Sequence, residues 1–97
     1  MNIVAKRTLS SFWKKHPRAE QPLKTWYFIA RRADWDKPSD IRAVFNQADV
    51  INGNVVVFNI CENRYRLVVK FNFVARVGFV KFLGSHKDYD NLDIRKL

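Results

Sequence analysis

The last third of this 97-residue chain gathers side chains of the types that grip a phosphodiester and of the types that cleave one. Arg64, Arg66, Lys70, Lys81 and Lys87 supply cations; His86 and Tyr89 add an imidazole and a phenol three positions apart. RNA strand cleavage without a metal needs a base near the 2′-OH and an acid for the departing 5′-oxygen. It also needs cations against the charge that develops on phosphorus. Histidine is the natural acid or base near neutral pH, and tyrosine can hydrogen-bond or donate. Arginine makes forked contacts to phosphate, and lysine acts as a point charge. One stretch therefore supplies every role. RNA-binding domains that cleave nothing share this composition, so the residue types alone favour a binder over a nuclease.

Other chemistries are less well served. Asp88, Asp90 and Asp93 lack the glycine and the bidentate Glu of a calcium loop, and solvation or pairing with Lys87 and Arg95 is the simpler role for them. Three glycines in all make no phosphate-cradling loop. Cys61, the only cysteine, excludes an intrachain disulfide or a thiolate zinc site, and its apolar run marks it as a small buried hydrophobe. No metal or cofactor is expected. Met1–Val4 leads at once into Lys6-Arg7 without the apolar stretch of a signal peptide, and no run approaches the ~20 apolar residues that span a bilayer. A soluble, cytoplasmic protein without a membrane role is expected.

The formal charge of +9 is unevenly placed. Residues 1–32 hold eight cations and one anion, residues 33–62 two and five, and residues 63–97 eight and three. Such a balance concentrates polyanions around the protein. The length predicts one domain over 1–97, and 47% apolar residues with three tryptophans argue for an ordered core.

Several elements must position the candidate residues. Asn2–Ala5 reads as an edge strand. Thr8 is placed to cap a helix with Leu9, Phe12 and Trp13 on one face, ending before Pro17; His16 reads as part of that helix end. Ala19, Leu23, Trp26, Tyr27, Ala30 and Ala33 form the stripe of a second amphipathic helix, whose apolar face is needed for the core. Ser39 is placed to cap a third, with Ile41, Val44 and Phe45 inward. Asn52-Gly53-Asn54 signals a turn opening the β half, with strands at about 54–61, 63–73 and 75–84. Only Glu62-Asn63 separates the first two strands, a tight hairpin.

Alternation places Tyr65, Leu67, Val69 and Phe71 on one face of the middle strand and Arg64, Arg66 and Lys70 on the other. The last strand is ambiguous in phase, and a bulge at Gly78 would resolve it. With Val80 and Phe82 inward, Lys81 joins Arg66. The architecture is α+β: N-terminal helices packed on one face of a small, mostly antiparallel sheet, its basic face open.

The residues also resemble a known family. Thr8-Leu9, Phe12 to Pro17, Ala19-Glu20, Leu23 and Trp26-Tyr27 are followed by Val56 to Ile60, Asn63 to Lys70 and Gly84 to Asp90. Together they are similar to the HigB toxins of type II toxin–antitoxin modules. The resemblance implies a RelE-like fold and an mRNA interferase activity, usually on mRNA in the translating ribosome. It also implies neutralisation by a HigA antitoxin with a helix-turn-helix domain, and it shifts the balance toward a nuclease. By the same resemblance, Arg66 would hold the scissile phosphate and Lys81 would help neutralise the transition state. His86 would act as general acid or base, with Tyr89 orienting or stacking. Arg64, Lys70 and Lys87 would contact the RNA. Two departures are Glu62, where a small residue is common, and Gly78, in a strand usually richer in bulky residues.

Overall fold

The computed structural model describes residues 1–97, with every side chain except that of Arg95. The pairing expected between the C-terminal aspartates and Arg95 thus lies outside the described residues. In chain order the elements are β1 (Asn2–Val4), α1 (Lys6–Lys15), a 3₁₀ turn (Pro17–Ala19), α2 (Glu20–Arg32) and α3 (Pro38–Val44). There follow β2 (Asp49–Ile51), β3 (Val55–Ile60), β4 (Tyr65–Asn72), β5 (Val77–Ser85), α4 (His86–Asp90) and a last 3₁₀ turn (Ile94–Lys96). The five strands form one sheet in the order β1-β5-β4-β3-β2. The β1–β5 pair is parallel and the others are antiparallel. This is the expected α+β architecture.

The helices cover one face. Leu9 of α1 and Leu23, Trp26 and Ala30 of α2 are buried against Val56, Phe58 and Ile60 of β3 and Leu67, Val69 and Phe71 of β4. Each fully buried side chain of this size contributes ~1.5–3 kcal/mol. The Phe58 ring meets Trp26 edge-on at 5.2 Å and Phe45 at 5.3 Å, which fixes the helix layer over the sheet.

Several boundaries differ from the expectation. The first helix starts at Lys6, its cap position taken by Ala5 in a left-handed conformation (φ 83°), so Thr8 lies inside the first turn rather than capping it. The third helix starts at Pro38, whose fixed φ suits a first helical position, so Ser39 is not its cap. Val44 is exposed rather than inward. Asn52-Gly53-Asn54 joins two strands, since β2 precedes it. The β3–β4 connection is longer than two residues: Cys61, Glu62 and Asn63 all adopt positive φ (56°, 55° and 72°), and Arg64 closes the turn with its N–H on the Cys61 carbonyl (3.1 Å). Cys61 is consequently half-buried in a turn, its Sγ 3.6 Å from the Arg18 carbonyl, and not a core hydrophobe.

The bulge falls at Lys81, not Gly78. Val68 pairs with Phe82 but Val69 pairs with Val80, leaving Lys81 as the extra residue. This puts Val80 and Leu83 toward the helices and Phe82 on the opposite face, where an inward Phe82 was expected. Gly78 has another reason to be glycine: a Cβ there would stand 2.9 Å from the Phe71 ring and 3.2 Å from Ile3 Cδ1. Its bareness lets β1 and Phe71 close over β5.

The face away from the helices is only partly open. Val55, Val57 and Val68 are buried there beneath Phe82, Tyr89, Ile94 and Leu97. The unbroken Val55-Val56-Val57-Phe58 run has its explanation here, because a strand covered on both faces need not alternate. At the helix-side edge, Arg76 ties the β4–β5 turn to the segment after α2. Its guanidinium donates to the Trp35 carbonyl (2.9 Å) and meets Asp34 and Asp36 at 3.0 and 2.6 Å.

Candidate active site

Strand β5 ends where α4 begins, and Ser85 makes the change of direction. Its hydroxyl accepts the Asp88 N–H at 3.1 Å, the side-chain cap expected of a serine at that position. His86 is thereby the first helical residue. Its backbone N–H donates to the Arg64 carbonyl at 3.3 Å, tying it to the β3–β4 turn. The same turn holds Arg66, whose Nη1 donates to the carbonyls of Asn63 (2.8 Å) and Tyr65 (3.3 Å). Arg66 pairs across the ladder with Gly84, two residues before His86. Adjacent strands lie ~4.8 Å apart, so the backbones of Arg66 and His86 meet at one corner of the sheet.

His86 is more than half exposed, and its Nδ1 stands 3.3 Å from Asp90 Oδ2. An Nδ1–H donated to that carboxylate leaves Nε2 as the outward-facing, open nitrogen of the ring. Asp90 is absent from the set of site residues expected from sequence. The i, i+4 spacing of His86 and Asp90 on a helix is the signal that identifies it.

Gly84 allows this corner to close. A Cβ there would fall 2.8 Å from the Phe82 ring and 3.4 Å from Asp88 Cβ. Tyr89, half-buried, lies 6.4 Å from the Phe82 ring at a tilt of 52° and covers Val68 with the C-terminal residues. It is therefore anchored by packing beside the His86 corner. Lys87 is exposed on α4, and Arg64 is exposed in the turn rather than on the face of β4.

The remaining candidates gather further along the same face. Lys70 and Lys81 line a concavity of about 520 Å³ with Asn54, Asn72 and Phe79, and Lys81 Nζ lies 5.7 Å from the Phe79 ring. Lys81 thus reaches the basic face through the bulge and not through an inward Phe82. It shares that concavity with Lys70, whereas Arg66 sits beyond the Val68–Phe82 pair. The sequence candidates form two groups on one face: Arg64, Arg66, His86, Lys87 and Tyr89 at one end, Lys70 and Lys81 at the other. His16 keeps a structural place, stacked on Phe12 at 4.4 Å and tilted against Tyr65 at 5.4 Å. Among the described residues no three His, Cys, Asp or Glu side chains converge as metal ligands. No described helix is long and apolar enough to cross a membrane.

An α+β sheet with a helix layer behind and a cationic, histidine-bearing face in front defines a small protein built to meet a polyanion. The chain belongs to the HigB toxin family, described as the RelE-like toxic component of a toxin–antitoxin system, whose model matches residues 19–92. The mRNA interferase HigB of Escherichia coli O6:H1 (strain CFT073) is 27% identical over 94 residues, covering 95% of this chain and 91% of that protein. The mRNA interferase toxin HigB of Escherichia coli K12 and the mRNA interferase HigB of Shigella flexneri are each 24% identical over 92 residues, covering 93% of this chain and 88% of theirs.

Proposed function

We propose that residues 1–97 act as a single toxin endoribonuclease domain that cleaves mRNA bound to the ribosome and so arrests translation and growth. The observation that carries this reading is the corner where His86, backed by Asp90, and Arg66 are held by the same β3–β4 turn. In the proposed reaction the 2′-oxygen attacks the adjacent phosphorus, the P–O5′ bond breaks, and a 2′,3′-cyclic phosphate and a 5′-OH result. A base takes the 2′-OH proton and an acid delivers one to the 5′-oxygen. His86 serves as one of that pair, needing no metal or other cofactor. Arg66 exchanges its carbonyl contacts for the non-bridging phosphate oxygens. Tyr89 orients or stacks on the nucleotide, and Lys81, further along the face, helps neutralise the developing charge through the positive potential it adds rather than by direct contact. Arg64, Lys70 and Lys87 hold the flanking backbone. The protein works in the cytoplasm, with a HigA-type helix-turn-helix antitoxin as its partner.

Induction of the wild-type chain should halt growth and create new 5′ ends in cellular mRNA, and purified toxin should cut with EDTA present. His86→Ala and Arg66→Ala should abolish both effects while remaining folded. Full toxicity from a folded double variant would refute the site. Growth arrest and salt-sensitive RNA binding without new 5′ ends would favour the alternative, a non-catalytic RNA- or ribosome-binding module.

A further inference from the structure

Behind the sheet, on the outer side of the helix layer, α1 and α2 enclose a groove of about 670 Å³ that the RNA chemistry does not use. Its floor is apolar: Leu9 and Trp13 from α1, Tyr27 and Phe28 from α2. Phe28 is 57% exposed, the least buried aromatic singled out among the large hydrophobics at the surface. Around this floor stand Lys6, Lys24, Arg31 and Arg32. All four cations lie against the rings, Lys6 5.2 Å and Arg31 5.8 Å from Tyr27, Lys24 5.3 Å from Trp13 and Arg32 4.3 Å from Phe28. Residues 1–32 contain a single acid, Glu20, and it is already engaged by Lys24 at 2.6 Å.

We propose that this groove receives an acidic amphipathic segment of the antitoxin, whose apolar side chains enter between the helices while its carboxylates meet the cationic rim. The inference rests on the toxin reading above for the existence of that partner. The charge pattern selects the occupant. A second copy of this chain would bring the same positive rim against itself. Stacked nucleobases would have to displace the cations that cover the rings. Carboxylates reach the outward N–H groups of those cations without moving them, and apolar side chains fill the floor between.

The test uses the whole toxin and the antitoxin encoded with it, the antitoxin fluorescently labelled. Phe28→Ser and the Arg31→Glu/Arg32→Glu double variant alter exposed positions, and circular dichroism checks that they fold. Each should weaken antitoxin binding by at least about 30-fold, the effect of removing an interface hot spot. RNA cleavage by each should stay at the wild-type rate. Unchanged antitoxin affinity in both folded variants overturns the proposal. So does loss of RNA binding with antitoxin affinity intact, which would mark the groove as a nucleic-acid surface. If the wild-type toxin cuts no RNA but the variants still lose the antitoxin, the groove stands and the nuclease reading falls.

Discussion

His86 and Asp90 face each other across one turn of α4, with Nδ1 3.3 Å from Oδ2. Ser85 sets that turn by capping the helix, and Gly84 lets it lie close against β5. The pair gives a specific expectation. Asp90→Asn keeps the side-chain shape but removes the charge that orients the imidazole. It should lower kcat by about 10-fold, the lower end of what partners that orient a histidine contribute, with little change in KM, in steady-state cleavage of mRNA on purified ribosomes. Asp90→Glu should recover part of the loss. A rise in KM alone would place Asp90 in binding instead.

Loss of the imidazole should cost far more. General acid–base catalysis contributes typically ~10²–10⁴-fold, and His86→Ala should forfeit a factor in that range. Arg66→Lys keeps a charge but not the planar fork, and it should fall well below wild type in the same assay.

Tyr89 packs in the C-terminal cover and is proposed to meet the nucleotide, and two substitutions separate these roles. Tyr89→Ala uncovers Val68 and Phe82 and should destabilise the fold by about 1–3 kcal/mol in urea denaturation. Tyr89→Phe preserves the packing, so any loss of cleavage there belongs to the hydroxyl.

Gly78 should tolerate no side chain. Gly78→Val forces methyl groups into the Phe71 ring and Ile3, and overpacking of this kind costs ~1–3 kcal/mol. The urea midpoint should fall while the slope stays constant. An unchanged midpoint would show that β1 shifts to make room.

RNA affinity should fall with salt, because each neutralised phosphate of a single strand releases ~0.7 counterions. Lys70→Ala and Lys81→Ala should each flatten the log–log slope by about that amount if both lysines contact phosphate. A slope unaltered by either change would place the RNA path at the His86 end alone.

Much of this was legible in the residues. The alternation of Tyr65, Leu67, Val69 and Phe71 with Arg66 and Lys70 gave β4 its correct faces, because a two-residue period has one solution when one face is buried. The stripe from Ala19 to Ala33 likewise located α2. The phase of β5 was not readable, since Gly78 resembles a bulge residue and Lys81 does not; only the ladder to Val68 and Val69 locates the shift. Asp49–Ile51 is too short a strand to display a period. The C-terminal cover was signalled obliquely: Val55, Val56, Val57 and Phe58 require burial on both faces, and Tyr89, Ile94 and Leu97 provide it on the second. For the candidate site, residue types pointed to the basic face and to His86 as candidates, whereas their partition into two groups depends on the bulge.

The parallel pairing of β1 with β5 also shapes the order of folding. Ile3 lies opposite Gly78, so this seam closes residues 3–78 into one loop, with α1, α2 and α3 inside it. Loop entropy rises slowly with length, but contacts so distant in sequence form late and slow the search for the native state. Helices and the β2–β3–β4 meander can associate first through neighbours. Strand β5 gains its second neighbour at Val77–Phe79 only when the first residues of the chain return to it, whereas its Phe82–Ser85 end is paired with β4. With that seam open, the Ser85 end of β5 keeps its ladder to β4, so the part of the sheet that closes last is the far edge at Val77–Phe79 and not the turn that leads into His86.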